Sequence, residues 1–134
     1  MISNDLRDVS VQGLAHIGDA VFELMVRTWL CIDGTSTARK LHDRAVSFVS
    51  AKAQAAAAES IHSILSEEEI SVYKRGRNTH VNSIPKASTH EEYHAATGIE
   101  ALFGYLYLSG KTERLNELFS VIIKNRMQNT EHRE

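Results

Sequence analysis

Two carboxylates stand out by their placement. Asp19 lies inside LAHIGDAVFELMVR, residues 14–27, a mostly apolar stretch of helical spacing. Glu100 lies inside YHAATGIEALFGYLYLSG, residues 93–110, which holds no other acid and no Lys or Arg. An unpartnered carboxylate among apolar side chains costs several kcal/mol or takes up a proton. On a helical wheel of about 100° per residue, Ala15, Phe22 and Val26 flank Asp19 on one side, His16 and Glu23 on the other. The neighbours of Glu100 are Tyr93, Ala96, Thr97, Phe103, Gly104 and Tyr107, with no cation within a turn. Two readings are open. Each acid caps a loop or pairs with its own distant arginine. Alternatively, the two helices pack side by side and both acids share one hard divalent cation, Mg²⁺ or Mn²⁺, through oxygen ligands. Small residues around Glu100 (Ala96, Gly98, Gly104) point to close approach by another element. Spacing alone does not decide whether the acids meet.

A basic cluster forms the second candidate site. YKRGRNTH, residues 73–80, gathers Lys74, Arg75, Arg77 and His80, and no acid occurs from Ser71 to His90. The guanidinium forks of Arg75 and Arg77 and the amide of Asn78 match phosphate oxygens. Gly76 lets the backbone bend closely around a ligand. A cationic helix C-terminus complementing the helix dipole accounts for the same residues. The functional alternative is contact with a phosphate backbone, which positions a duplex without reading its sequence. Arg39, Lys40, Arg44 and Lys52 are interspersed normally and read as a solvated face. The formal net charge of −2 excludes a uniformly basic protein, so a polyanion must be held by a local patch. The seven histidines show no zinc-type spacing, and His16 and His94 read as supporting or surface residues rather than ligands. No serine or cysteine has a suitably spaced base, which sets covalent catalysis aside.

The elements that must position these residues are helical. One proline and seven glycines in 134 residues leave little punctuation, and the apolar residues recur at helical spacing. The expected class is therefore all-α. A first helix runs from an N-cap at Ser10 to about Cys31, with Glu23 and Arg27 as a surface ion pair. A loop follows at 33–37, with Thr35, Ser36 and Thr37 as cap candidates. The Ala-rich segment 38–65 is long enough for two helices that break near Ser47 to Ser50. Ser66 with Glu69, and Thr89 with Glu92, have capping-box spacing. They open a helix that ends near Gly76 and the helix that carries Glu100. Thr79 to Ser88, with Pro85, reads as a loop. Gly110 ends the Glu100 helix in the C′ manner. Residues 112–128 form a last amphipathic helix whose stripe is Leu115, Leu118, Phe119, Ile122 and Ile123, and NTEHRE reads as a frayed tail.

The bulk properties fit one domain over residues 1–134, with a helical core at about 10–128. A hydrophobic content of 43% suffices for an ordinary core. No apolar run of about 18 residues reads as a membrane span. The N-terminus MISNDLRDVS lacks the basic-then-apolar order of a secretory leader. A cytoplasmic location without a membrane partner is expected. Cys31 is alone, fits a reducing compartment and is expected as a small buried hydrophobe.

IGDAVFEL, residues 17–24, resembles the signature helix of the ribonuclease III family, in which Gly-Asp follows an apolar pair. GIEALFGYLYLSG, residues 98–110, resembles that family's second metal-binding helix. Together with YKRGRN, these stretches look like the Mini-III subfamily, and the resemblance runs from about Gly13 to Ile123. It implies an all-α endonuclease domain that acts as a homodimer, with one metal site per subunit along a valley that takes double-stranded RNA. It also implies no appended double-stranded-RNA-binding domain. By the resemblance, Asp19 and Glu100 are catalytic metal ligands for Mg²⁺, with Mn²⁺ as a substitute. Lys74, Arg75, Arg77 and Asn78 fall in the run the subfamily places near RNA. Metal-assisted phosphodiester hydrolysis then leaves a 5′ phosphate and a 3′ hydroxyl, on precursor large-subunit ribosomal RNA, with a ribosomal protein as a possible presenter of substrate.

Two positions depart from the wider family. An acid that many members carry four residues before the signature Asp is Ala15 here. One that they carry three residues before the second-helix Glu is Thr97, whose hydroxyl is placed to orient a water held by the ion. His16 is the other candidate supporting residue. These losses leave room for a catalytically silent RNA-binding or assembly factor on the same fold. An unrelated helical adaptor, with its carboxylates paired to arginines, is the second rival.

Overall fold

The computed structural model describes residues 6–79, 86 and 88–132. They form a 3₁₀ turn at Leu6–Asp8 and six α-helices, with no strand among the described residues. The helices are α1 (Val11–Ile32), α2 (Ala38–Val49), α3 (Ala51–Ile61), α4 (Glu67–Arg77), α5 (His90–Leu108) and α6 (Thr112–His132). A second 3₁₀ turn, His62–Ile64, joins α3 to α4.

Side-chain caps set most helix starts. Ser10 Oγ accepts from the Gly13 amide at 2.9 Å, Thr37 Oγ1 from Lys40 at 3.3 Å and Ser50 Oγ from Ala53 at 3.1 Å. Ser50 thus ends α2 and starts α3, inside the expected break. Both capping boxes form. Glu69 accepts from the Ser66 amide at 2.8 Å while its own amide donates to Ser66 Oγ. Thr89 and Glu92 repeat the arrangement at 3.1 and 3.0 Å. Gly110, at φ 72°, takes the left-handed turn that ends α5.

The architecture is a bundle around α5, which packs against α1, α3, α4 and α6. Its Ala96, Gly98, Ile99, Ala101, Leu102, Phe103, Gly104 and Leu106 are all buried. A helix covered on nearly all sides needs apolar residues nearly all round, which accounts for the absence of lysine and arginine. Phe22 of α1 meets Phe103 and Phe119 edge-on, with ring centroids 5.4 and 6.0 Å away. The predicted stripe of α6 is buried at all five positions.

Two expectations are corrected. Cys31 is exposed, not buried. Val26 and Leu30 take the core face of α1, and one further residue rotates Cys31 away from it. Helix α6 continues through 129–132, where a frayed tail was expected. The expected loop at Thr79 to Ser88 lies mostly outside the described residues.

Candidate active site

The site is built where α1 crosses α5. A Cβ placed on Gly18 would fall 1.6 Å from the Glu100 carbonyl oxygen, and one on Gly104 would fall 2.0 Å from the Leu14 carbonyl oxygen. Each glycine therefore admits the other helix's backbone. This contact brings the next residue along α1, Asp19, to the side chain of Glu100, and the two carboxyls are hydrogen-bonding neighbours. Asp19 is exposed and Glu100 is half-buried, so the pair runs from the surface into the α1–α5 contact.

No cation neutralises Glu100 among the described residues. Burial pushes its carboxyl up from the usual 4.5 to about 8, and the Asp19 charge and the hydrogen bond to Asp19 push the same way. The amide of Gln54, reaching across from α3, pulls weakly in the other direction. Two acids at one crossing, with nothing positive to hold them, form a hard-oxygen site that a divalent cation suits. Among the described residues no group of three or more His, Cys, Asp or Glu forms, so the protein offers two carboxylates.

The remaining sequence candidates fall around this crossing. Thr97 lies one turn before Glu100 and its hydroxyl donates to the Tyr93 carbonyl at 3.0 Å, which leaves its lone pairs free to accept. His16 is exposed on α1, one turn before Asp19. The basic run occupies the last turn of α4, where Lys74, Arg75, Arg77 and the C-cap Asn78 are exposed. That turn is locked to the turn of α5 bearing Glu100. A Cβ on Gly76 would lie 2.7 Å from Ala101 Cβ and 2.9 Å from the Thr97 carbonyl oxygen. On the same crossing the Tyr73 ring packs against Gly98, and the Arg77 guanidinium sits 5.9 Å from the centre of that ring. The cations therefore complement the end of α4, on a helix that packs against the Thr97–Ala101 stretch of α5.

The Ribonuclease III domain pattern matches residues 12–111. Mini-ribonuclease 3 of Clostridium tetani is 42% identical over 120 residues, covering 89% of this chain and 80% of that protein. Mini-ribonuclease 3 of Thermoanaerobacter sp. is 43% identical over 111 residues, covering 83% and 78%. The chain belongs to the Mini-ribonuclease III group of the ribonuclease III family. A crystal structure of a Fusobacterium nucleatum protein matches it with a TM-score of 0.83 at 32% identity, covering 92% of this chain and 99% of that one. As a Mini-ribonuclease III, the chain is an endoribonuclease of a divalent-metal-dependent family that acts on double-stranded RNA. No helix among the described residues is long and apolar enough to cross a membrane.

Two contributors escaped the sequence reading. Gln54 is a lone long polar residue among alanines in AKAQAAAA, a signal that was available. Tyr73 gave none, because its role depends on the facing Gly98.

Proposed function

We propose that this Mini-ribonuclease III cleaves double-stranded RNA with Asp19 and Glu100 as the protein ligands of one Mg²⁺, Mn²⁺ substituting. The observation that carries the reading is the convergence of the two carboxyls at the α1–α5 crossing. Their donor set fits a hard cation whose other positions are filled by waters and phosphate oxygens. When bound, such an ion supplies the positive charge that acidifies an attacking water and offsets charge on the scissile phosphate.

The chain's own residues do the rest. Asp19, at the solvent edge, faces incoming substrate, while Glu100 anchors the site from the drier side, where charges act strongly. Thr97 Oγ1 accepts a hydrogen bond from a water beside Glu100, and His16 lines the outer rim. Lys74, Arg75, Arg77 and Asn78, on the helix packed against α5, hold the phosphate backbone and set the register of the duplex.

The substrate is precursor large-subunit ribosomal RNA in the cytoplasm, presented by a ribosomal protein. The products carry a 5′ phosphate and a 3′ hydroxyl. Residues 1–134 act as one domain. Two copies form a homodimer whose sites lie along one valley, so that paired basic patches supply the affinity. This finer reading is supported by the kinship to Mini-ribonuclease 3 proteins.

End-mapping of RNA products tests it. The unsubstituted chain is expected to cut a duplex from precursor large-subunit RNA in Mg²⁺. Asp19→Asn and Glu100→Gln are expected to fold and to lose cutting by at least about a hundredfold. Cutting at the parental rate by either variant removes that carboxylate from the mechanism.

A further inference from the structure

Gln54 is 2% exposed and is the one buried uncharged polar side chain of the described core. Its Nε2 makes no hydrogen bond of good geometry among the described residues, although its amide comes near enough to the Glu100 carboxyl to favour the charged form. The residues three before and three and four after it on α3 are Ala51, Ala57 and Ala58. Helix α3 packs against α5, and the group its amide approaches there is the Glu100 carboxyl, in a loosely made hydrogen bond. A buried amide N–H without an acceptor is unfavourable and rare in native proteins. A side chain of this length, kept at that cost among alanines and aimed at one acid, needs an explanation from the acid.

We infer that Gln54 is a positioning residue of the active site, whose Nε2–H donates to one carboxylate oxygen of Glu100 when a divalent cation occupies the other. The inference rests on the reading of Asp19 and Glu100 as the cation site. The geometry supplies the logic. Glu100 presents its carboxyl to Asp19 from α5, and Gln54 approaches the same group from α3. A donor on the α3 side fixes the carboxylate's rotation and leaves its far oxygen turned toward Asp19. A neutral amide suits this task, because it supports a carboxylate without competing for the ion, as a lysine would. It also adds no third negative charge. Partners that orient a ligating carboxylate typically change cation affinity by about 10–100-fold when removed. With Ala15 and Thr97 contributing no carboxylate, the orientation of the remaining inner acid bears more of the affinity.

The test is Mn²⁺ binding by the full chain, followed by electron paramagnetic resonance, alongside the melting temperature of the metal-free protein. Gln54→Met keeps length and removes the amide. It is expected to melt no lower than the unsubstituted chain, since an apolar group replaces a poorly paired donor, and to bind Mn²⁺ about 10–100-fold more weakly. A folded Gln54→Met protein with unchanged Mn²⁺ affinity overturns the inference.

If that variant fails to fold, the unsubstituted chain decides. With glutamine labelled by ¹⁵N, the Gln54 side-chain amide signals should shift when Mg²⁺ is added, and should stay in place in Glu100→Gln. Signals indifferent to Mg²⁺ overturn the inference as well. A Glu100→Gln protein that binds Mn²⁺ like the unsubstituted chain removes the cation site, and the role of Gln54 with it. Loss of Mn²⁺ binding in Glu100→Gln, together with Gln54 signals in the unsubstituted chain that ignore Mg²⁺, removes Gln54 alone.

Discussion

Gly18 lies directly under the backbone of Glu100, with room for a hydrogen but none for a methyl: a Cβ there would sit 1.6 Å from the Glu100 carbonyl oxygen. The obstacle is backbone on both sides, so no rotamer change relieves it. Gly18→Ala must part α1 from α5. It is expected to destabilise the protein by about 3 kcal/mol or more, above the usual range for core overpacking. It should also cost the cation site, because the Asp19–Glu100 contact depends on that crossing. Urea unfolding and Mn²⁺ titration of Gly18→Ala measure the two effects. A variant as stable as the parent would show that the helices can slide apart cheaply.

The acidity of Glu100 gives a pH dependence of stability in the metal-free protein. Its folded carboxyl releases its proton only near pH 8, whereas the unfolded chain releases it near the ordinary value of 4.5. The folded state therefore binds more protons in that window, and stability falls as pH rises from about 4.5 to about 8. Glutamine cannot ionise, so Glu100→Gln should lose this slope and be the more stable protein at pH 8 in EDTA. Urea midpoints across pH 5–9, with about 1 mM EDTA or Mn²⁺, check both the slope and its suppression by a bound cation. Equal slopes in both proteins would remove Glu100 as the cause.

Glu69 and Arg114 tie α4 to α6. The guanidinium grips the carboxylate with Nε and Nη2, each at 2.8 Å, and Nη2 also donates to the Ile64 carbonyl at 2.7 Å. Glu69 is buried and at the same time closes the capping box of α4. Arg114→Met leaves that charge without its partner and is expected to cost about 3 kcal/mol. The Arg114 hydrogen bond holds the Glu69 carboxyl below its usual 4.5, against the pull of burial. This contribution is therefore complete above about pH 4.5 and is lost as pH falls through the lower folded value. Thermal melts of both proteins between pH 3 and 7 should converge at the acid end.

The basic turn of α4 makes a prediction about salt. If Arg75 and Arg77 each contact a phosphate, alanine at either should weaken duplex binding regardless of RNA sequence. Each change should also reduce the slope of log affinity against log salt by about 1. Arg39→Ala, on the exposed face of α2, serves as the control and should leave the slope unchanged. Fluorescence anisotropy with a short RNA duplex in Ca²⁺ reads this without cleavage. An unaltered slope in Arg75→Ala and Arg77→Ala would confine those residues to the helix dipole.

The local layer of this protein is written in short-range chemistry. Ser10, Thr37, Ser50, Ser66 and Thr89 cap helices because a side-chain oxygen needs only a backbone amide two or three residues away. Gly110 ends α5 because it tolerates a positive φ that other residues resist. The apolar period of α6 forecast its buried stripe for the same reason. The oddity of Asp19 and Glu100 was equally legible, as acids with no cation within a helical turn.

Their meeting was not legible, because it depends on which faces of α1 and α5 touch. That is fixed by Gly18 against Glu100 and Gly104 against Leu14, contacts between residues about eighty to ninety positions apart along the chain. Cys31 went astray because burial belongs to the surrounding helices and not to the residue type. Gln54 became meaningful only when α3 packed beside α5 and pointed a buried amide at Glu100. Sequence determined the helices and marked the two acids, since both follow from neighbours within a turn. Tertiary structure alone decided that the acids meet, since close backbone crossing is a property of pairs of helices.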